Sequence, residues 1–525
     1  MRTAACFCLL LCGAIMPAGG QQGSAPRIEW QRTFGGTNDD TLTSLEQTSD
    51  GGFILGGYSY SGTDGNKDST NFGGADFWVL RLDANGNRVW EKSFGGSDND
   101  FLYSLQQTSD GGYIVGGSSR SGVSGNKTAP NFGFNDFWVV RLDAQGGRLW
   151  DISFGGSSSD YLQSLAQAAD GGFVLGGYSA SGTDGDKTAP NLGNNDFWLV
   201  RLDANRNKIW DLTFGGGGRD ALHSLQQTSD GGFVLGGDST WSANGNKTSP
   251  VLGATDFWIV RLDSNGNKLW DRSFGGTNDD FLNTVQQTGD GGFLLGGTSA
   301  SSTNGNKTSP NFGGYDFWLV RLDASGNELW DRSFGGSAND GLNSVQQTAD
   351  GGSILGGYSA SGTDGNKTSP NLGLEDFWVV RTDAGGNKLW EQTFGGAGSD
   401  SLHVVRQTAD GGFILGGQSS SGVSGSKSRA NFGGSDFWVV KLAPEPAPRL
   451  QLRVLPQTQD EIRSYGFRFL LIPAGTNGRY AIEFSTNLPN WTPLQTNQAT
   501  QGQLEITDAA ASNSLRRLYR ARQLQ

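Results

Sequence analysis

Four side chains of unlike chemistry break an otherwise regular stretch of the chain: Arg219, His223, Asp238 and Trp241. Arg219 stands where other copies of the same segment carry Asp, Asn or Ser, Asp238 where they carry Tyr, Ser, Thr or Gln, and Trp241 where they carry a small residue. An indole beside an acid and a guanidinium can stack on a sugar or peptide and hydrogen-bond to it. The same Asp, His and Arg are the residues a polysaccharide hydrolase or lyase would use. Histidine is scarce: His223 and His403 occupy equivalent positions and are the two bases open to a Ser-His-Asp arrangement. G-x-S-x-G, H-E-x-x-H and phosphate-loop patterns are absent. Cys6, Cys8 and Cys12 are all the cysteines, so the remainder offers neither thiolate catalysis nor a Cys-ligated zinc site. Asp64, Asn66 and Asp68 have the spacing of the first ligands of an oxygen-rich calcium loop, but Lys67 interrupts them and the later acidic ligands are missing. No resident cofactor is expected, calcium at this spacing being the single candidate metal.

The elements that must position these residues are repeats. W…FGG recurs from Trp30 to Trp390 and D-F-W from Asp76 to Asp436, seven times each, every 60 residues without a slip. A period of this length built from strand-like segments signals a propeller or a solenoid. Within the first copy, residues 42–48 (LTSLEQT) and 53–59 (FILGGYS) read as strands around Asp50-Gly51-Gly52, a turn expected to take the positive φ angles of a primed hairpin. Residues 77–83 (FWVLRLD) and 88–94 pair around Asn85-Gly86-Asn87. Each unit is thus a four-stranded antiparallel meander, and sustained helical periodicity is nowhere seen. The seventh unit lacks its fourth strand after Leu442, while a lone copy, residues 28–34 (IEWQRTF), precedes the first unit. Joining these two ends would close the array and remove its exposed edges.

Asp40, Asp50, Lys67, Asp76 and Trp78 each have six counterparts, and fourteen of the sixteen tryptophans belong to the repeated set. Such residues are expected to cap turns, pair charges and pack sheets, because one active site uses unlike residues from different units. The FGGxxxD connections and the long GTDGNKTSPN-like loops share one end of the meander, the expected working face.

The pattern FGG…DxL…DGGFVLGG…DFWVVRLD…GNKLW is similar to the bacterial seven-bladed β-propeller repeat family, and the similarity covers about four-fifths of the chain. That resemblance implies an all-β, seven-bladed β-propeller over residues 28–442, closed by the N-terminal strand, in a family whose members mostly lack an assigned activity. A Pro-rich linker, 443–449, leads to residues 450–525, whose alternating runs suggest a small β-sandwich. The segment from Tyr480 to Leu494, with Trp491 expected in its core, resembles a C-terminal module of exported bacterial proteins. LDANGNKLW-like segments also resemble the tryptophan-docking repeat of quinoprotein dehydrogenases, but the cysteine pair often found under the quinone is missing.

Arg2, the apolar run 9–15 and the small residues Ala18 and Gly20 read as a signal peptide, residues 1–20. Cleavage would leave a secreted or cell-surface protein. Lipidation of Cys12 would require a small residue before it, and Leu11 is not one. Residues 450–525 carry eight Arg and five acids, net +3, whereas residues 21–449 carry 30 basic and 47 acidic residues, net −17. An acidic body of this kind disfavours nucleic acid as a partner. The later sequence has no apolar segment of the ~20 residues needed to span a bilayer. The expectation is a monomeric propeller that binds an extracellular glycan or protein through its long-loop face, with Arg219, His223, Asp238 and Trp241 as ligand contacts and no catalytic residue. The alternatives are a polysaccharide-acting hydrolase or lyase and a purely structural surface protein.

Overall fold

A computed structural model describes residues 25–240, 244–445, 451–472, 478–487, 489–499, 504–513 and 517–524. The chain divides into a unit spanning Gln22–Pro444 and a second within Glu445–Gln525. The expected signal peptide, Cys12, and 446–449 of the linker lie outside the described residues.

The first unit is all-β and consists of seven four-stranded antiparallel sheets. In the first sheet, β2 (Asp40–Gln47), β3 (Phe53–Ser59), β4 (Asp76–Leu82) and β5 (Arg88–Phe94) follow in chain order. Five more sheets repeat that order, and the seventh takes β1 (Ile28–Phe34) as its outer strand, Phe34 opposite Phe437 and Ile28 opposite Leu442. The register pairs Asp40 with Ser59 and Ser59 with Asp76, so the FGGxxxD and long connections lie at one end and the short hairpins at the other.

Those hairpins differ from the primed turns expected of Asp-Gly. Gly51 has φ +84° and Gly86 +75°, but Arg206 is the sole described non-glycine residue with positive φ, so Asp50 keeps an ordinary backbone. Gly51 N–H donates to Thr48 O at 2.8 Å and Thr48 N–H to Gly52 O at 2.9 Å. This is a type I turn followed by a glycine bulge. The physical reason is the Asp50 side chain, which accepts from Thr48 Oγ1 at 2.6 Å and Gly52 N–H at 3.2 Å and is gripped by Arg81 of β4 at 2.5 Å.

Sheets join through aromatic pairs. Phe77 of the first D-F-W lies 4.6 Å from Trp138 of the second, ring centre to ring centre, and the same contact recurs at 4.6–4.7 Å through to Phe377 on Trp438. Phe437 of the seventh sheet then meets Trp78 of the first at 4.7 Å. All fourteen rings are fully buried. Gly56 makes room for this packing, because a Cβ there would lie 2.6 Å from Leu105 Cδ2 of the next sheet. First strands also stand beside one another, β2 next to residues 100–107 and, at the other side, to 400–407.

The second unit has two three-stranded antiparallel sheets around a core that includes Phe467, Phe469, Tyr480, Ile482, Ile506 and Tyr519. Trp491, expected in that core, is half-buried with the Arg520 guanidinium 4.2 Å above its ring. A helix that apolar periodicity did not announce, Gln459–Tyr465, begins at a capping box made by Thr458 and Glu461.

Phe317→Ala should cost about 3–5 kcal/mol, whereas Val89→Ser, at a position 61% exposed, should change urea-unfolding stability by less than about 0.5 kcal/mol. A chain lacking residues 28–34 would leave the strand Asp436–Leu442 as an open edge and should melt lower and associate with concentration on gel filtration.

Candidate functional site

The seven first strands share one irregularity. In β2 the register slips between Leu42 and Ser44, leaving Thr43 as a bulge, and the same slip recurs in the other sheets. A bulge re-aims its side chain and frees it from ladder pairing. This position differs between units, holding Thr43, Tyr103, Gln163, His223, Asn283, Asn343 and His403. In four sheets the bulge residue itself is spent on bridging: Thr43 Oγ1 donates to Leu102 O at 2.7 Å, Asn283 and Asn343 reach the next sheet at 2.8 Å, and His403 Nδ1 donates to Leu42 O at 2.6 Å. Burial lowers the pKa of His403, favouring this neutral donor.

His223 is used differently. Its strand pairs Ala221 with Asp238, and the bulge turns the imidazole so that Nε2 lies 2.6 Å from Asp238 Oδ1. Arg219 Nη1 donates to Asp238 Oδ2 at 2.5 Å. The Asp238 side chain is 1% exposed, against 25% for His223 and 41% for Arg219. A buried carboxylate thus organises two outward groups, and the three residues expected to act together do meet. Trp241 lies outside the described residues. Among the described residues no Ser or Thr hydroxyl hydrogen-bonds either histidine, and His223 and His403 belong to the fourth and seventh sheets.

Sequence reasoning missed the aromatic residues beside this cluster. Arg219 lies 6.0 Å over the Tyr178 ring, Tyr178 is 6.4 Å from His223, and Tyr161 is 5.0 Å from Tyr178. Tyr58 packs edge-on against Phe101 at 4.9 Å. Tyr103 faces both groups: burial raises its pKa, and Tyr58, Tyr178 and Tyr161 add to that rise. Burial also raises Tyr178, opposed by the Arg219 charge. The signal was present in the sequence, since these tyrosines occupy the bulge position, the position two before it, and its cross-strand neighbour, where the repeats differ most. A shallow polar depression of about 650 Å³ lies by Tyr60 and the Thr37–Asp39 connection.

The calcium spacing dissolves in three dimensions. Asp64 accepts from Thr37 N–H at 3.0 Å and Thr37 Oγ1 at 2.7 Å, Asn66 Oδ1 accepts from Gly35 N–H at 2.9 Å, and Asp68 pairs with Arg88. The three side chains serve separate loop contacts and do not converge, because the intervening Lys67 is buried under the loop with Nζ 5.9 Å over Trp78.

No family model matches the chain. The chain is 24% identical over 413 residues to the Regulatory protein FlaEY of Caulobacter vibrioides, covering 71% of this chain and 42% of that protein, so it spans about two fifths of that relative's length. Among solved structures, Kuenenia stuttgartiensis hydrazine synthase superposes with a TM-score of 0.42 at 8% identity, covering 77% of this chain and 96% of that one. A protein of unknown function from Dyadobacter fermentans gives 0.41 at 10% identity, covering 80% and 99%. No helix among the described residues is long and apolar enough to cross a membrane.

Asp238→Ala should destabilise the fold by about 1–3 kcal/mol in urea unfolding, because it removes the buried acceptor shared by Arg219 and His223. Arg219→Ala should cost less, its guanidinium being 41% exposed.

Proposed function

We propose that the seven sheets are the blades of one β-propeller, closed by β1, and that the protein is secreted or held on the cell surface and binds a glycan or protein partner through its long-loop face. The cyclic Phe–Trp contacts support the closed propeller. The first strands then line its axis, and their bulge residues crowd around one mouth. The observation that carries the binding reading is the cluster in the fourth blade, where Arg219, His223 and Asp238 depart together from the repeat and hydrogen-bond as one group beside Tyr178 and Tyr161. Half-buried tyrosine faces next to a held guanidinium and imidazole offer stacking and directional hydrogen bonds, which suit a sugar or a peptide. Binding needs no nucleophile activated by a base, and a relative named a regulatory protein supports recognition over turnover. A polysaccharide-acting hydrolase or lyase using His223 is the second reading, favoured by its short contact with Asp238.

The test is saturable binding of residues 21–525 to an array of polysaccharides, glycoconjugates and peptides, with reducing-end release and chain cleavage assayed on the same samples. Tyr178→Ala, Arg219→Ala and Trp241→Ala should each weaken binding about tenfold or more, while Tyr358→Ala in the sixth blade should not. Product release would establish the enzyme reading. Equal losses from Tyr178→Ala and Tyr358→Ala, or no binding at all, would leave a structural role.

A further inference from the structure

Where adjacent sheets meet, aspartates face one another. Asp76 opens β4 of the first sheet and Asp100 opens the first strand of the second, and both are fully buried. Asp76 Oδ2 accepts from Phe72 N–H at 2.5 Å; Asp100 Oδ2 accepts from Gly96 N–H at 2.8 Å and Ser121 Oγ at 2.9 Å. The Oδ1 of Asp76 and of its six counterparts has no hydrogen-bond donor among the described residues, whereas the Asp40 and Asp100 carboxyl groups also have the Ser59 and Ser119 hydroxyls beside them. Gly95 separates the carboxyl groups: a Cβ on it would fall 1.8 Å from Asp76 Oδ1 and 2.9 Å from Asp100 Oδ2. The first glycine of FGG is therefore required by the carboxyl groups pressed against it. The arrangement recurs every 60 residues and ends with Asp436 and Asp40 around Gly35, at 1.8 and 2.8 Å.

One buried lysine stands between successive pairs. Lys67, 2% exposed, interacts with Asp40 of one pair and Asp76 of the next, as Lys127 does with Asp100 and Asp136. The last, Lys427, interacts with Asp400 and Asp436. Fourteen carboxyl groups and seven ammonium groups thus alternate around a continuous circuit, with one negative charge in excess per repeat if every carboxyl is ionised. Burial makes an uncompensated charge at such a site expensive. A divalent metal would reverse the imbalance, whereas a single proton per pair cancels it.

We propose that each of the seven buried carboxyl pairs carries one proton, leaving one negative charge per pair against one buried lysine per repeat. The carboxyl groups shift in the direction this requires. Burial first, then the neighbouring aspartate, raises Asp76, Asp136, Asp316 and Asp436 to about 7, and Asp196, Asp256 and Asp376 to about 6. The charged groups facing each pair are the two flanking lysines, joined by Asp186 at Asp136 and by Asp238 at Asp220. A carboxyl that holds its proton more tightly when folded than when unfolded stabilises the fold below the ordinary carboxylate range, and that contribution is lost as pH rises through 6 to 7. Between the ordinary carboxylate range and pH 6 to 7, each retained proton lowers the folding equilibrium about tenfold per pH unit. The sheet junctions are thereby pH-sensitive as a set, and Asp238 ties the candidate binding cluster to the third of them, Asp196 and Asp220.

Infrared spectra of the full chain at pH 6 should show the carbonyl stretch of protonated carboxylic acid, fading by pH 9, and the melting temperature should fall across the same range. Asp76→Asn supplies the donor without a proton, so it should remain folded and lose about one tenfold increment of the pH dependence. Absence of the carboxylic-acid band at pH 6 would overturn the proposal even if the variant failed to fold. So would a melting temperature that rises from pH 5 to 8, or a loss at pH 8 reversed by micromolar calcium, which would assign the pairs to a metal ion.

Discussion

The interaction on which the rest depends is the contact between a phenylalanine of one sheet and the D-F-W tryptophan of the next. A four-stranded sheet of this size cannot hide two apolar faces by itself. The strand that carries D-F-W is buried along its whole length, so each sheet requires a neighbour on both sides. Seven such contacts, the last returning from Phe437 to Trp78, satisfy that demand with no sheet left over. Pairing of β1 with the strand Asp436–Leu442 follows from the same constraint applied to backbone groups, because the seventh sheet would otherwise present an unpaired edge.

The aromatic contact fixes the sheets at a spacing that forces polar groups together at one end. FGG brings its backbone between two aspartates, Ser61 and Gly36 claim one carboxylate oxygen, and Lys67 is drawn under the loop. Hydrogen bonds of this kind give little net stability individually, but in a buried setting they specify one register strongly. A repeat locked in this way can vary in few places. Variation is marked at the bulge of the first strand, at the residue two before it with its cross-strand partner, and at the ends of the long connections, and the candidate site is made of those positions.

The fourth sheet shows how little change is needed. His223 takes a place where other units hold Thr43 or Asn283, and instead of donating to the next sheet it meets Asp238, which replaces the tyrosine found at Tyr178 and Tyr358. Loss of one inter-sheet bridge is offset by a local cluster anchored on a buried carboxylate. Arg206, in the hairpin before this sheet, is another departure, holding the φ of 73° that glycine holds elsewhere while its guanidinium covers Trp150 at 5.6 Å.

Strand order, the seven-fold count and the exchange of β1 for the missing strand were legible in the sequence, because a 60-residue period with fixed Trp, Asp and Gly positions is a local code repeated without interruption. Arg219, His223 and Asp238 were legible as a group for the same reason, as breaks in the period. The hairpin geometry was misread, since Asp50 answers to Arg81, 31 residues away, and not to its neighbours alone. The tyrosines were invisible as a group: Tyr58, Tyr103, Tyr161 and Tyr178 come from three sheets, and nothing in linear order brings them side by side. The pairing of aspartates across sheets was hidden likewise, for Asp76 and Asp100 are unremarkable until packing removes the water between them. The sequence by itself determined which segments form strands and how they repeat, because those choices rest on spacing along one chain. Tertiary structure alone decided which side chains share a buried environment, because that depends on distances between sheets that the aromatic contacts set.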